Sequence, residues 1–170
     1  MDNLKKHIKR KYKKLKQIVF GMRVRRYCVS VGTNLKVNYP SRVGGNTILG
    51  NNVNFNGMNI SGGKCVIGNN FHSGKNCQII NQNHNYEGEN IPYDGTMIYK
   101  EVVIDDNVWL GNNVIIVGNV HIGEGAIIQA GSVVVRDVPR CAIVGGNPAQ
   151  VFKYRNIEHY EKLKAEEKFW

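Results

Sequence analysis

Apolar residues recur every six positions over most of this chain. From residue 104, the six-residue segments read IDDNVW, LGNNVI, IVGNVH, IGEGAI, IQAGSV and VVRDVP. Ile, Leu or Val always fills position one, and position five holds Val, Ala or Ser. The same frame runs from residue 31 to residue 84 as nine more segments, although Ser takes position one twice. Fifteen segments in one frame predict a repeat architecture rather than an ordinary globular core.

The physical chemistry of strands converts this period into a fold. Side chains alternate across a strand, so an apolar first residue and a small fifth residue can both point inward around a turn. Three segments make one triangular coil of 18 residues, and stacked coils pair their backbones about 4.8 Å apart. We therefore predict a mainly β fold, a parallel β-helix of about five 18-residue coils. Cys65 and Cys77 occupy position five and are predicted to be core residues.

The frame is interrupted once, between residues 85 and 103, by the 19-residue segment NYEGENIPYDGTMIYKEVV. A loop of that length in a compact solenoid is usually functional. We expect it to protrude from the wall immediately after His84.

The N-terminal residues predict an amphipathic helix over residues 3–22. Its apolar side chains step by three or four positions and form one stripe: Leu4, Ile8, Tyr12, Leu15, Val19 and Met22. Two interpretations stay open at this point. The stripe packs on the solenoid as a cap, or the basic helix lies on an anionic membrane surface.

The other end of the chain also leaves the repeat. Residues 142–149 break the frame, and residues 156–168 are predicted as a short charged helix. We accordingly divide the chain into a basic arm (residues 1–30), a β-helix (residues 31–150) and a C-terminal helix (residues 151–170).

Charge is concentrated in the arm. The formal net charge is +10, and residues 1–26 contain eleven Lys or Arg and one acid, whereas the rest of the chain balances. The solenoid therefore does not resemble a nucleic-acid binder, and only the arm calls for an anionic partner. No apolar run is long enough to span a membrane or to form a secretory signal. With four cysteines and no metal-type spacing, we expect a cytoplasmic protein with reduced thiols.

The segments VWLG, AGSVV, DVP and GGNPA within residues 102–155 closely resemble the hexapeptide-repeat acetyltransferases. That superfamily includes maltose, galactoside, nodulation-factor, serine and xenobiotic acetyltransferases and the O-acetyltransferases of polysaccharide clusters. The resemblance implies a left-handed β-helix, a homotrimer with active sites between subunits, and acetyl-CoA as the donor.

The resemblance also implies a catalytic residue. The family's catalytic histidine closes a segment just before the protruding loop, which places it at His84. A sugar hydroxyl is a poor nucleophile, and a general base that takes its proton contributes roughly 10²–10⁴-fold. His72 and His121 also occupy position six, so all three are predicted to face outward. If the loop returns to the wall it left, His121 lies one coil from His84, and we hypothesise that it borders the site.

Other family positions carry over one at a time. Seven are implied to hold acyl-CoA: Asn54, Trp109, Asn112, Ala130, Gly131, Arg136 and Lys153. Asn54 is expected to reach His84 from an adjacent subunit, and Arg136 and Lys153 to lie near the nucleotide phosphates. In the loop, Tyr86, Tyr93 and Asp94 are candidates for binding the acceptor.

These features predict an acetyl-CoA-dependent O-acetyltransferase of a sugar or polysaccharide precursor. Two enzyme alternatives remain, an N-acetyltransferase of a nucleotide-linked amino sugar and a xenobiotic acetyltransferase. A zinc carbonic anhydrase on this fold would pair two histidines five residues apart, which this chain lacks, so we expect no metal. A non-catalytic scaffold would not need the AGSVV and GGNPA segments.

Overall fold

The computed structural model describes residues 2–170, with side chains from Lys5 onward. This part of the chain contains two helices, α1 (Asp2–Tyr27) and α2 (Ile157–Ala165). Sixteen strands lie between and beside them: β1 (Ser30–Val31), β2 (Lys36–Tyr39), β3 (Thr47–Leu49), β4 (Asn54–Ile60), β5 (Lys64–Ile67), β6 (His72–Ile80), β7 (Gln82–His84), β8 (Met97–Tyr99), β9 (Glu101–Ile104), β10 (Trp109–Leu110), β11 (Ile115–Val117), β12 (Val120–Ile122), β13 (Ile127–Ile128), β14 (Val133–Val134), β15 (Ala142–Gly146) and β16 (Ala149–Tyr154). The expected mainly β fold with a helix at each end is confirmed.

The strands stack in parallel as three faces of a solenoid. Face A consists of β1, β3, β5, β9 and β12. Face B consists of β2, the first halves of β4 and β6, and then β10, β13 and β15. Face C consists of the second halves of β4 and β6 with β11 and β14. The long strands β4 and β6 turn the corner between faces B and C at Gly57 and Asn76, which both have positive φ.

The solenoid has about six turns, one more than the predicted five. Coils are normally 18 residues apart, as where Thr47 lies beside Cys65. In the last turn, however, β15 stacks on β13 with Ile143 beside Ile127, an offset of only 16 residues. The sequence frame is therefore lost at residue 142 although the stack continues to the end of β15.

The interruption follows from the same register. Cys65 on β5 lies beside Val102 on β9, a separation of 37 residues, which is 19 more than one coil. Ile80 still pairs with Val117 on the wall, and Glu101 has returned to the wall beside Lys64. The inserted residues are thus 82–100, and the predicted bounds, 85–103, are three residues too late. Leaving out 19 consecutive residues joins the two runs of segments in frame, wherever in a segment the omitted residues start. The pattern therefore fixed the length of the insertion but not its position.

Asparagines form the corner nearest face B. Asn34, Asn52, Asn70 and Asn107 have φ between 54° and 62°, a left-handed conformation that asparagine tolerates better than most residues. Their side-chain amides also bond from coil to coil, at 3.0 Å, 2.9 Å and 2.9 Å in sequence order. We call these four residues the asparagine ladder. The ladder gives these side-chain amides hydrogen-bond partners within the protein, where water would otherwise be their partner.

The interior is apolar and continuous along the solenoid axis. Cys65 and Cys77 are buried as predicted, and burial raises the pKa of both thiols, that of Cys65 to about 12. Phe55 and Phe71, on neighbouring coils, pack edge to face in the core with ring centroids 6.0 Å apart.

Helix α1 covers the open end of the first coil, but the face that packs there is not the predicted apolar stripe. It extends to Tyr27, five residues beyond the predicted end. Val24 is fully buried in the core, and Phe20 packs against it. The predicted stripe is exposed along the helix from Ile8 to Met22, and the side chain of Leu4 lies outside the described residues. The cap is real, but residues outside the stripe form it.

Helix α2 is shorter than predicted and folds back on the corner. Its N-cap is Asn156, whose side chain accepts from the backbone N–H of His159. Tyr160 donates its hydroxyl to Glu124 Oε1 at 2.9 Å and accepts from Asn107 Nδ2 at 2.9 Å. The last rung of the asparagine ladder therefore joins α2 to the solenoid.

Candidate active site

His84 lies on a β-hairpin that projects from the solenoid. Its strands β7 and β8 are antiparallel, and His84 is paired with Met97. The imidazole is exposed and stacks on the ring of Tyr93, with centroids 4.0 Å apart and planes 12° from parallel. The stack limits rotation of the imidazole about its side-chain bonds.

The hairpin tip is held together by Asp94. Its carboxylate accepts from the hydroxyl and backbone N–H of Thr96 and from the N–H of Glu89. The Thr96 hydroxyl first, and then the backbone donors and nearby His84, lower the pKa of Asp94 below its ordinary range, so the carboxylate is ionised at neutral pH. Asp94 thus has a structural task in the loop, while Tyr86 and Tyr93 present exposed rings on the same hairpin.

The second set of predicted residues lies on face B. Asn54, His72 and Trp109 occupy adjacent coils in register, and they line a groove of about 650 Å³. Residues of α2 and the C-terminal tail form the opposite wall, and Trp170 lies edge-on to His72 with ring centroids 5.4 Å apart.

An adjoining groove of about 580 Å³ shares His72 and Trp109 with the first. It is lined by the predicted residues Asn112 and Ala130 and, among others, by the apolar residues Ile143 and Phe152. Its floor is built from small residues because the coils are tightly stacked there. A Cβ at Gly111 would lie 2.5 Å from the backbone nitrogen of Ala130.

A chain of amides behind the first groove was not foreseen. Gln17 of α1 donates to Asn38 Oδ1 at 2.5 Å, and Asn38 Nδ2 in turn donates to Asn54 Oδ1 at 2.9 Å and Asn56 Oδ1 at 2.8 Å. Since the oxygen of Asn54 is engaged, its Nδ2 remains as the donor toward the groove. A signal existed in the sequence, because Asn38 and Asn56 occupy the same position of segments one coil apart.

His72 is the second unforeseen member. It was expected to face outward, but its Nδ1 is buried and has no hydrogen-bond partner within the described residues. Its Nε2 lies 3.4 Å from Asn56 Nδ2. Desolvation lowers the pKa of His72, so the ring is neutral at physiological pH and can offer one donor and one acceptor.

The remaining predicted cofactor residues do not line either groove. Gly131 occupies a turn with φ 74° and has open space around it. Lys153 on β16 pairs with Ile143, which is a groove residue, and Arg136 is exposed after β14. Lys153 therefore lies near the end of face B and Arg136 just after the last strand of face C, and neither lines a groove.

The hairpin and the grooves are separated within one chain. The hairpin leaves the wall after face C, at Asn81, whereas Asn54 and Trp109 lie on face B. His121 does not join either group, because it lies beside Val103 on face A and contacts Asp105 Oδ1 at 2.9 Å. The two histidines do not occupy adjacent coils of one face, as was expected, because His84 belongs to the hairpin and not to the wall. That His121 borders the site stays a prediction. Among residues 2–170, no three His, Cys, Asp or Glu side chains are placed to share a metal ion.

Comparisons with known proteins find relatives that share the repeat and the fold. Residues 101–136 match the family described as bacterial transferase hexapeptide (six repeats). The hexapeptide-repeat acetyltransferase VCA0836 of Vibrio cholerae is 30% identical, with 76% of each chain covered and a TM-score of 0.68. Its structure complexed with acetyl coenzyme A gives a TM-score of 0.57 at 28% identity, covering 76% of this chain and 73% of that one.

Two further relatives differ in how much they share. A galactoside acetyltransferase in complex with coenzyme A is 26% identical, covers 81% of this chain and 70% of its own, and has a TM-score of 0.65. The 2,3,4,5-tetrahydropyridine-2,6-dicarboxylate N-acetyltransferase of Staphylococcus aureus is 48% identical over 52 residues. That match covers 31% of this chain and 22% of the relative, so the chain spans less than a quarter of that enzyme's length.

Proposed function

We propose that this chain, which belongs to the hexapeptide-repeat acetyltransferase superfamily, transfers acetyl from acetyl-CoA to a hydroxyl of a sugar or polysaccharide precursor. The observation that carries the proposal is the placement of His84. It is an exposed imidazole, oriented by the Tyr93 stack, on the one hairpin that projects from the wall of the described solenoid. A solenoid needs no such hairpin for its own packing.

The chemistry assigned to His84 is general base catalysis. One ring nitrogen takes the proton of the acceptor hydroxyl while its oxygen attacks the thioester carbonyl. The new C–O bond forms, the C–S bond breaks, and the proton returns to the departing thiolate of CoA. The imidazole is restored and no covalent enzyme intermediate forms.

The second groove, which contains Asn112 and Ala130, is assigned to the donor. A pantetheine arm is slender and partly apolar, which suits a channel floored by Gly111 and Ala130 and bordered by Trp109. Asn112 and the turn at Gly131 continue the same path, and Arg136 and Lys153 are assigned to the nucleotide phosphates. The structures of two relatives contain coenzyme A or acetyl coenzyme A, which supports this assignment.

We further propose a homotrimer in which one subunit supplies His84 and its neighbour supplies face B. The two halves of the site lie on different faces of one chain, so a complete site needs residues of a second subunit. Packing three solenoids side by side brings the hairpin of one against the groove of the next.

The acceptor is assigned to the hairpin. Tyr86 and Tyr93 offer exposed rings that can stack on a sugar, and Asp94 fixes the loop that presents them. An amine acceptor remains the second candidate, because one relative that matches 52 residues of this chain is an N-acetyltransferase. A xenobiotic acceptor would use the same base. The four free thiols favour a cytoplasmic site for the reaction.

The base is tested by thiol release from acetyl-CoA with a panel of sugars, glycans and amino sugars. We expect His84→Ala to lower kcat by about 10²–10⁴-fold. His159→Ala is the matched control, because His159 is also exposed and lies on α2, outside both grooves. Equal thiol release by His84→Ala and wild type would refute the proposed base.

The shared site is tested by complementation. His84→Ala and Asn54→Ala chains are each expected to be nearly inactive. If every site takes one residue from each of two subunits, random trimers from an equal mixture regain about a quarter of the wild-type sites. A mixture that stays as inactive as its components after co-refolding would show that each site lies within one chain.

A further inference from the structure

The apolar stripe of α1 has no partner in this chain. Ile8, Tyr12, Leu15, Ile18, Val19 and Met22 are each between 47% and 65% exposed. At 100° per residue, these six side chains fall within an arc about 120° wide. Phe20 and Val24, which cap the solenoid, lie on the other side of the helix. The cap therefore holds α1 with its apolar stripe turned away from the body.

Basic residues fill the rest of the helix surface. Lys5, Lys9 and Lys16 border the stripe on one side, and Arg25 borders it on the other. Lys11 falls within the arc of the stripe, near its edge. Eleven Lys or Arg lie within residues 1–26, against the single acid Asp2. Within the described residues, no helix is long and apolar enough to cross a bilayer.

We propose that α1 is a docking surface for an anionic lipid surface, lying in the plane of the interface with the stripe of Ile8–Met22 inserted. The proposal goes beyond acetyl transfer and does not depend on it. Charge complementarity selects this occupant. Apolar side chains enter the acyl boundary while the flanking lysines and arginines reach the phosphate headgroups.

A second copy of this chain fits the stripe less well. Helices that pair through such a stripe place their flanking residues opposite each other, and here those residues are cations on both sides. Like charges would face one another without the glutamates that normally relieve them. An anionic bilayer turns the same cations into attractive contacts.

Helix α1 is attached to the first coil of the solenoid at two points. Val24 is buried in the core and Gln17 is bonded to Asn38, so the C-terminal part of α1 is anchored to the first coil and the same helix continues back to Ile8. Binding through α1 holds the solenoid at a set distance and orientation from the lipid surface. A glycan acceptor attached to a lipid would then lie at the same membrane surface as the enzyme.

The test is flotation of the full-length protein with vesicles. We expect binding to vesicles of roughly three parts phosphatidylcholine to one part phosphatidylglycerol, and weak binding to phosphatidylcholine alone. Raising the salt from about 0.1 M to about 0.5 M should weaken binding severalfold by screening. Ile8→Ser and Leu15→Ser should each weaken it about tenfold, because each removes a side chain that would be buried in the interface.

Val29→Ser is the matched control, since Val29 is also an exposed aliphatic residue but lies beyond the helix. It should bind vesicles as the wild type does. Far-UV circular dichroism and sedimentation are measured on every variant. Absence of wild-type binding, equal binding to neutral vesicles, or unchanged binding by the Ile8→Ser/Leu15→Ser double variant would overturn the proposal. So would a loss of oligomer size in that variant, which would identify a second copy as the occupant.

Discussion

The asparagine ladder makes a quantitative prediction about what stabilises the solenoid corner. Asn70 has φ 54°, accepts from Asn52 at 2.9 Å and donates to Asn107 at 2.9 Å. The substitution Asn70→Ala removes both hydrogen bonds and places an alanine in the left-handed region. Asn113 has nearly the same φ, 57°, but its side chain has no hydrogen bond to any described residue. Asn113→Ala therefore imposes the same backbone strain without disturbing the ladder.

The magnitudes of the two substitutions separate the two effects. An alanine in the left-handed conformation costs about 1 kcal/mol more than an asparagine. Each lost hydrogen bond adds about 0.5–1.5 kcal/mol, because the freed groups are partly accessible to water. We expect Asn113→Ala to lower the free energy of unfolding by about 1 kcal/mol and Asn70→Ala by about 2–4 kcal/mol. The difference between them is the contribution of the ladder.

Equilibrium unfolding in urea measures both values, at one fixed protein concentration so that any oligomer dissociation is matched. Circular dichroism follows the strands, and an unchanged denaturant slope is required for the comparison. Equal destabilisation by the two substitutions would refute the reasoning, because corner asparagines would then serve only their backbone conformation.

Three further predictions concern the site, α2 and the core. Tyr93→Ala should lower kcat about 3–10-fold, because the imidazole of His84 loses the ring on which it stacks. Tyr93→Phe keeps that ring and should have nearly the kcat of the wild type. An equal loss of kcat in both variants would show that the hydroxyl matters and the stack does not. Tyr160→Phe removes the hydroxyl that donates to Glu124, and it should lower the free energy of unfolding by about 1–2 kcal/mol. Urea unfolding measures this change. An unchanged free energy would show that water replaces the lost hydrogen bond. Because burial raises the pKa of Cys65 from 9.0 to about 12, the unfolded thiol loses its proton first as pH rises. Stability should thus decline above about pH 9, by at most about 1.4 kcal/mol per pH unit from this group, and Cys65→Ala should lessen that decline in urea unfolding at two pH values.

The residues of the candidate site were predicted from their positions in the chain. His84 was identified because a long insertion follows it, and Asn54, Trp109 and Ala130 by resemblance to a family. In the structure, His84 lies on the hairpin, and the other three residues line the grooves. His72 was seen only as an outward-facing residue, because its burial comes from Asn56 and Trp170, which are distant in sequence.

The insertion shows where the pattern stops being informative. Its length, 19 residues, was correct because the frame resumes downstream with the same positions facing inward. Its start was wrong by three residues, because residues 82–84 are positions four to six of the segment IINQNH and include no apolar residue that would show whether they face inward. Only the hydrogen bonds of Gln82–His84 with Met97–Tyr99 show that these residues belong to the hairpin.

The sequence by itself determined the solenoid, since a six-residue period of inward side chains is a local property that each coil repeats. It also determined the basic amphipathic character of α1, which depends only on helical spacing. The tertiary structure decided which side of α1 caps the core, because Phe20 and Val24 fit the open end of the first coil while the longer stripe does not. It also decided that His84 and face B are apart in one chain. Periodicity says which side chains point inward but not which of the three faces a distant residue will share.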